Sequence, residues 1–411
     1  MLEATLDRPA ASYSQRMTLL ASLYVTQAVP LGFFIEAVPA IGRDLGLSLA
    51  TIGMLQALAL PFMLKFLWAP MVDRVGSPRR GHYRSWLIPL QVSAALLLAM
   101  LAVFSPQFLS PWMLLGGAVF MLLASTQDIA TDGLAVKMLE PQERGMGNGV
   151  QVGGFYLGQI LGGGLILVVY GLFGWRAALL TMAALMALPL LSLHAFVEPA
   201  GSPLARASEK RPGWRTFGRF FKRPGGWIWL AVLLFYRAGD AMAITMAKPM
   251  WIDLGYSLTQ IGLLIGLGNS FAAMAGALLG GAWVSRLGRK RALVGFAALH
   301  AIALLGYILP ASGWSSAAVV WPVSVCAAFA GGMATAALYT CMMDRVDPEV
   351  GGTEFTLQQA LAAVGPMVGA GLSGVLSQAT GYPVHFALCA MLTLAMAALS
   401  LRVTMPRLNI Q

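Results

Sequence analysis

Asp128 and Asp132 stand four residues apart in an otherwise apolar stretch, Ser125-Thr-Gln127-Asp128-Ile-Ala-Thr-Asp132-Gly133. On a helix, that spacing brings both carboxylates to one face. Such groups take up and release protons as a neighbouring cation approaches or leaves. Other polar or ionisable residues interrupt apolar runs in the same way: Gln27, Glu36 and Lys65, and the set Tyr236, Arg237, Asp240 and Lys248. A charge at mid-helix in lipid costs about 2.5–3.5 kcal/mol on insertion scales, so it marks a water-filled path or a paired site. Two roles stay open for these residues: handling substrate and protons, or locking helices together as permanent ion pairs. Lys65 is the weakest candidate, because a lysine so near a helix end can snorkel to the interface.

No nucleophile, base and orienting group occur with recognised spacing, so no catalytic residue is assigned and the chain is not read as an enzyme. Cys326, Cys341 and Cys389 lie in apolar runs without Cys-x-x-Cys spacing, and are expected to pack as buried thiols. His194 and His300 fall at or near span ends and His385 near the start of the last span, scattered without ligand spacing. No metal site is expected from them. There is no phosphate-binding Gly-Lys-Ser/Thr loop, and no cofactor is expected.

The elements that must position these residues follow from composition. Of 411 residues, 58% are hydrophobic and 11% charged, far fewer charges than in an average soluble domain. Runs of roughly 20 apolar residues span a bilayer as helices. Twelve such spans are predicted, at 17–40, 50–70, 85–105, 112–138, 146–172, 175–197, 226–251, 258–283, 292–311, 315–342, 353–380 and 383–403. The fold class is therefore an all-α membrane protein. Two six-helix halves, 1–197 and 226–411, flank a basic linker at 198–225, whose Trp214–Phe221 piece could lie on the membrane surface.

The net charge of +10 is explained by topology rather than by nucleic acid. Twenty-two of the 27 Lys and Arg residues fall on one side of the predicted spans, which places both termini and the linker in the cytoplasm. The halves also echo each other. Asp44–Leu55, DLGLSLATIGML, returns as Asp253–Leu264, DLGYSLTQIGLL, with eight of twelve residues identical. Spans 5 and 11 are rich in glycine, which suits close helix packing.

A second echo carries a gate. Ala69-Pro-Met-Val-Asp73-Arg74-Val-Gly76, followed by Arg79 and Arg80, is matched by Gly281-Ala-Trp-Val-Ser285-Arg286-Leu-Gly288-Arg289-Lys290-Arg291. A glycine turn is expected at Gly76 and Gly288, with the cations reaching acidic residues or helix C-termini. Ser285 in place of an aspartate suggests a weaker ionic latch in the second half.

This loop resembles the signature of the major facilitator superfamily. Lys65-Phe-Leu-Trp-Ala-Pro-Met-Val-Asp73-Arg74 and the stretch around Asp128 are similar to the branch containing muropeptide permeases, acetyl-CoA transporters and single-subunit siderophore importers. The resemblance implies the major facilitator fold, with helices 1, 4, 7 and 10 around a central cavity. It also implies alternating access in the bacterial inner membrane by a monomer, with protons as coupling ion and a small-molecule substrate. Among these subgroups, a chain of 411 residues with twelve spans most resembles the pyochelin or rhizobactin type of ferric siderophore importer. Anhydro-muropeptide import and drug or metabolite efflux are the alternatives.

Overall fold

The computed structural model describes residues 11–77, 81–104, 110–198, 218, 223 and 225–405. Arg79 and Arg80, and all of Trp214–Phe221 except Gly218, lie outside the described residues. Among the described residues the chain is helical, with only an isolated bridge between Ser77 and Gly81. In chain order the helices are α1 (Tyr13–Asp44), α2 (49–74, broken), α3 (Arg84–Leu101), α4 (Pro111–Met138), and α5 and α6 (together Arg144–Ala195, turning at Gly174). Then come α7 (Gly226–Asp253), α8 (258–287), α9 (Arg289–Ala311), α10 (Ala317–Asp344), α11 (Gly351–Thr380) and α12 (Tyr382–Ser400). Ten helices among the described residues are long and apolar enough to cross a membrane, one of them the 52-residue α5–α6 stretch.

Two compact units result. The first holds described residues within 1–139, 157–215 and 347–356; the second holds those within 140–156, 216–346 and 357–411. In the first, Phe33 meets Phe34 edge-on and also packs near Trp175, within a core drawn from α1, α3, α4 and α6. In the second, Tyr307 stacks on Phe386 at 5.0 Å beside Trp251.

The repeated segment forms the same joint in both units. Helices α1 and α7 end at Asp44 and Asp253, and Gly46 and Gly255 turn the chain at φ 80° and 86°. Only glycine adopts that backbone without strain. Ser48 and Ser257 then begin the next helix, Ser48 Oγ accepting from Thr51 N and Ser257 Oγ from Gln260 N.

Helix α2 departs from a single span. Its α-helical ladder gives way to 3₁₀ turns at Gln56–Ala59 and Lys65–Leu67, each just before a proline, Pro61 or Pro70. Proline lacks an N–H and clashes with the carbonyl four residues back, so the ladder restarts at each one.

Glycines allow the closest helix contacts. In the second unit Gly149 of α5 lies on α8, where an added methyl would sit 2.8 Å from the Ala277 carbonyl oxygen. In the first unit, Gly32 of α1 faces Gln159 of α5 as closely. Gly149→Ala is expected to cost about 1–3 kcal/mol by overpacking. Gly171→Ala, with open space around it, serves as the control. Thermal unfolding in detergent should separate the two; equal midpoints would mean that the α5–α8 contact is not tight. Cys341 and Cys389 are buried as expected, whereas Cys326 is exposed on α10.

Candidate functional site

In the first unit the carboxylates of α4 have different hydrogen-bond partners, while Asp132 as well as Asp128 lies within electrostatic reach of Lys65. Lys65 Nζ pairs with Asp128 Oδ2, both side chains about 9% exposed. Lys65 is therefore not a snorkelling lysine. It sits in the 3₁₀ break of α2, and that break turns it inward. One turn along α4, Asp132 is fully buried and accepts from Tyr24 Oη of α1 at 3.2 Å. Trp68, just after the break, donates to Thr126 Oγ1 at 3.1 Å.

Buried amides on α1 and α4 have unused hydrogen-bonding capacity. Gln27 and Gln127 are buried, and Gln27 Oε1 and both amide atoms of Gln127 have no hydrogen-bond partner among the described residues. Buried polar atoms without partners are costly. Glu36 does not join this cluster; it is exposed on the π-helical turn Phe33–Ala37 of α1.

In the second unit α7 breaks at Tyr236–Arg237, between Phe235 and Ala238. Asp240 Oδ2 lies 3.7 Å from Arg237 Nη2, and its Oδ1 lies 3.2 Å from His300 Nε2. His300 is not near the end of its span. It lies well inside α9, 4% exposed, facing α7. Gly331 of α10 leaves room for its ring: a methyl there would be 3.2 Å from His300 Nε2. Tyr236 points elsewhere, its hydroxyl donating to the Leu293 carbonyl at 2.7 Å, so it fastens α7 to α9. Lys248 is exposed in the second half of α7.

The gate loops differ from a simple pair of ionic latches. Asp73 accepts from Gly352 N at 3.1 Å, Thr353 N at 2.6 Å and Tyr83 Oη at 2.8 Å. It caps α11 within the first unit, while Arg74 is exposed. Burial first, and then the Asp73 charge, push the Tyr83 phenol well above its ordinary range, so it remains a donor at physiological pH. Gly76 is not the turn residue. The left-handed position is Gly81, φ 90°, while Gly76 makes room for the His82 ring. Removing the Asp73 cap in Asp73→Ala should cost about 1–2 kcal/mol, and Asp73→Asn less, because Asn keeps one acceptor. Unchanged melting of the Ala variant would contradict the capping role.

Despite Ser285, the second loop carries an ionic contact of its own. Asp344, at the end of α10, binds Arg144 Nη1 at 3.0 Å and Arg289 Nε at 2.8 Å. Arg289 also donates to the Pro141 carbonyl, and Ser285 Oγ donates to Gln142 O at 2.8 Å. Gly288 does make the turn, φ 84°, as expected. Gly281 is instead helical and packs against Gly145 and Gly149, while Arg286 and Lys290 are exposed.

Asp344 and His300 were missed by sequence reasoning. For Asp344 a signal existed: Lys137-x-x-Glu140-Pro141 recurs as Asp344-x-x-Asp347-Pro348 with the first charge reversed. In the first unit Lys137 accordingly binds a carboxylate, Glu198, at 2.9 Å. For His300 no local pattern announces a partner on another helix.

The sequence profile of the Major Facilitator Superfamily matches residues 20–361 and again 236–409. An anhydromuropeptide permease of Escherichia coli K12 is 28% identical over 378 residues, covering 90% of this chain and 76% of the relative. An uncharacterized protein of Haemophilus influenzae is 28% identical over 399 residues, covering 93% of each. The crystal structure of the human organic anion transporter MFSD10 (TETRAN) matches with a TM-score of 0.66 at 16% identity, over 94% of this chain and 99% of that one. That likeness concerns the fold alone. With its all-helical architecture, this chain belongs to the Major Facilitator Superfamily and is a multi-pass membrane transporter rather than an enzyme.

Proposed function

We propose that the protein is a proton-coupled secondary transporter of the bacterial inner membrane that imports an anhydromuropeptide. The observation that carries this reading is the 28% identity over 90% of the chain to a relative of that name. The order of the two substrate readings therefore reverses: ferric siderophore import, favoured by chain length, takes second place. The buried polar groups support a polar, charged solute. Lys65, Asp128, Gln127 and Gln27 offer charges and amides on α1, α2 and α4, suited to amide, hydroxyl and carboxylate groups.

In this reading the halves 1–197 and 226–411, joined by the linker 198–225, act as the two bodies of alternating access. The loops carrying Asp73, Arg74, Arg79 and Arg80, and Arg286, Arg289 and Lys290, act on the cytoplasmic side, where the charge bias also puts both termini. Right-side-out vesicles from a host lacking its own muropeptide permease test the proposal. Labelled anhydromuropeptide should accumulate under an inward proton gradient and be released by a protonophore. Accumulation no higher than in empty-vector vesicles sinks the reading. Uptake of a ferric siderophore instead would restore the second one, and outward pumping would assign efflux.

A further inference from the structure

The second unit holds one carboxylate between two cations of different kind. Asp240 Oδ2 faces Arg237, always charged, and Oδ1 faces His300, charged only when protonated. The two cations are also differently placed. The Arg237 side chain is 34% exposed, held only at 3.7 Å, and its Nε has no hydrogen-bond partner among the described residues. His300 is enclosed, its ring seated against Gly331, with Nε2 3.2 Å from Asp240 Oδ1. Among the described residues, the remaining titratable groups near this carboxylate or Arg237 are Tyr156 of α5, Tyr307 of α9, Tyr339 of α10 and Cys389 of α12. His385 of α12 lies behind Cys389 and is tied to Ser373 and the Met242 carbonyl. Tyrosine and cysteine are neutral near pH 7. The local charge is therefore set by Arg237, Asp240 and His300.

We propose that Arg237 receives an anionic group of the transported solute and that Asp240 with His300 takes up the proton that travels with it. The inference rests on the anhydromuropeptide reading and deepens it. With His300 neutral, the Arg237 and Asp240 charges cancel. A solute carboxylate arriving at Arg237 brings one negative charge and competes for the guanidinium, which suits bidentate binding of carboxylates. Asp240 then lacks its counter-ion. A proton on His300 restores neutrality, because the imidazolium pairs with the Asp240 oxygen it already faces. Linkage is reciprocal, so protonation strengthens solute binding by the same factor. Proton and solute therefore bind together and leave together.

Purified protein in proteoliposomes, supplied with labelled anhydromuropeptide, tests the inference. His300→Gln is expected to lower proton-driven accumulation by at least about tenfold while lowering solute counterflow by less than about threefold, a split within the usual range of coupling. Wild-type affinity should rise with acidification and that of His300→Gln should stay flat. Converting the solute's carboxylates to amides should weaken binding to wild type but not to Arg237→Gln. Gly331→Ala, which crowds the ring without removing it, should give the same split in weaker form, and guards against misfolding of the Gln variant. Equal accumulation and equal pH dependence in His300→Gln would overturn the proposal.

If wild type carries no anhydromuropeptide, the functional reading fails and an infrared pH titration of the purified protein still judges the site. A carboxylate response lost in both Asp240→Asn and His300→Gln supports it. A response that survives in His300→Gln overturns it.

Discussion

Lys65→Ala is expected to abolish transport and to lower stability by about 3–5 kcal/mol, the usual cost of leaving one member of a buried ion pair alone. Its partner Asp128 is as buried as the lysine, both side chains about 9% exposed. A double replacement separates the two roles left open for these charges. Lys65→Met with Asp128→Leu removes both charges, and buried pairs replaced by apolar groups fold about as well as before. The double variant should therefore regain most of the lost stability and insert normally, short of what Lys65 contributes to the buried Asp132, yet remain dead in uptake. A double variant that transports at wild-type rate would reduce the pair to a lock between α2 and α4.

Much of the frame was legible in the sequence because its causes are local. The DLG-x-SL repeat needs glycine in a left-handed turn and serine at the next helix start, and both joints show this. Asp128, Asp132 and Asp240 stood out because a charge in an apolar run is conspicuous whatever it contacts. Partners were harder, since they are set by packing between distant segments. Lys65 and Asp128 are 63 residues apart, and nothing near Lys65 distinguishes a lysine turned inward by a 3₁₀ break from one reaching for the interface. Pro61 and Pro70 were visible, but reading α2 as one span hid their joint effect. Asp344 lay at a helix end, where charges are ordinary. The preference for a siderophore came from chain length, a property with no contact to any substrate-binding atom, whereas the proposed muropeptide reading rests on similarity over 90% of the chain.

Asp344→Ala should give the second large effect, and Cys341 is a built-in reporter for it. Asp344 is the only carboxylate shown bound to Arg144 and Arg289 among the described residues. Its side chain is 1% exposed and theirs are 11% and 10%, so solvent screens these contacts little. Removing it leaves two like charges side by side and loses about 3–5 kcal/mol. Segment 140–144 is otherwise held by the Ser285 hydroxyl on Gln142 and by Arg289 on the Pro141 carbonyl, and the second contact depends on Asp344 to aim the guanidinium. This end of the second unit should therefore open more often. Cys341 lies one turn before Asp344, buried, with its thiol 3.9 Å from the Arg289 carbonyl oxygen. Exposed Cys326 would react regardless, so the measurement belongs in a Cys326→Ser background. A loss of even about 1.4 kcal/mol in the cost of opening is tenfold in the open population, and labelling of Cys341 by a small maleimide should rise at least that much. Asp73→Ala, which removes a cap in the other unit, should leave this rate near the parent value. Asp344→Glu, which keeps the charge, should restore most of the protection. Slow labelling in Asp344→Ala, equal to the parent, would mean that glycine packing of α5 on α8 holds this end closed without the ion pairs.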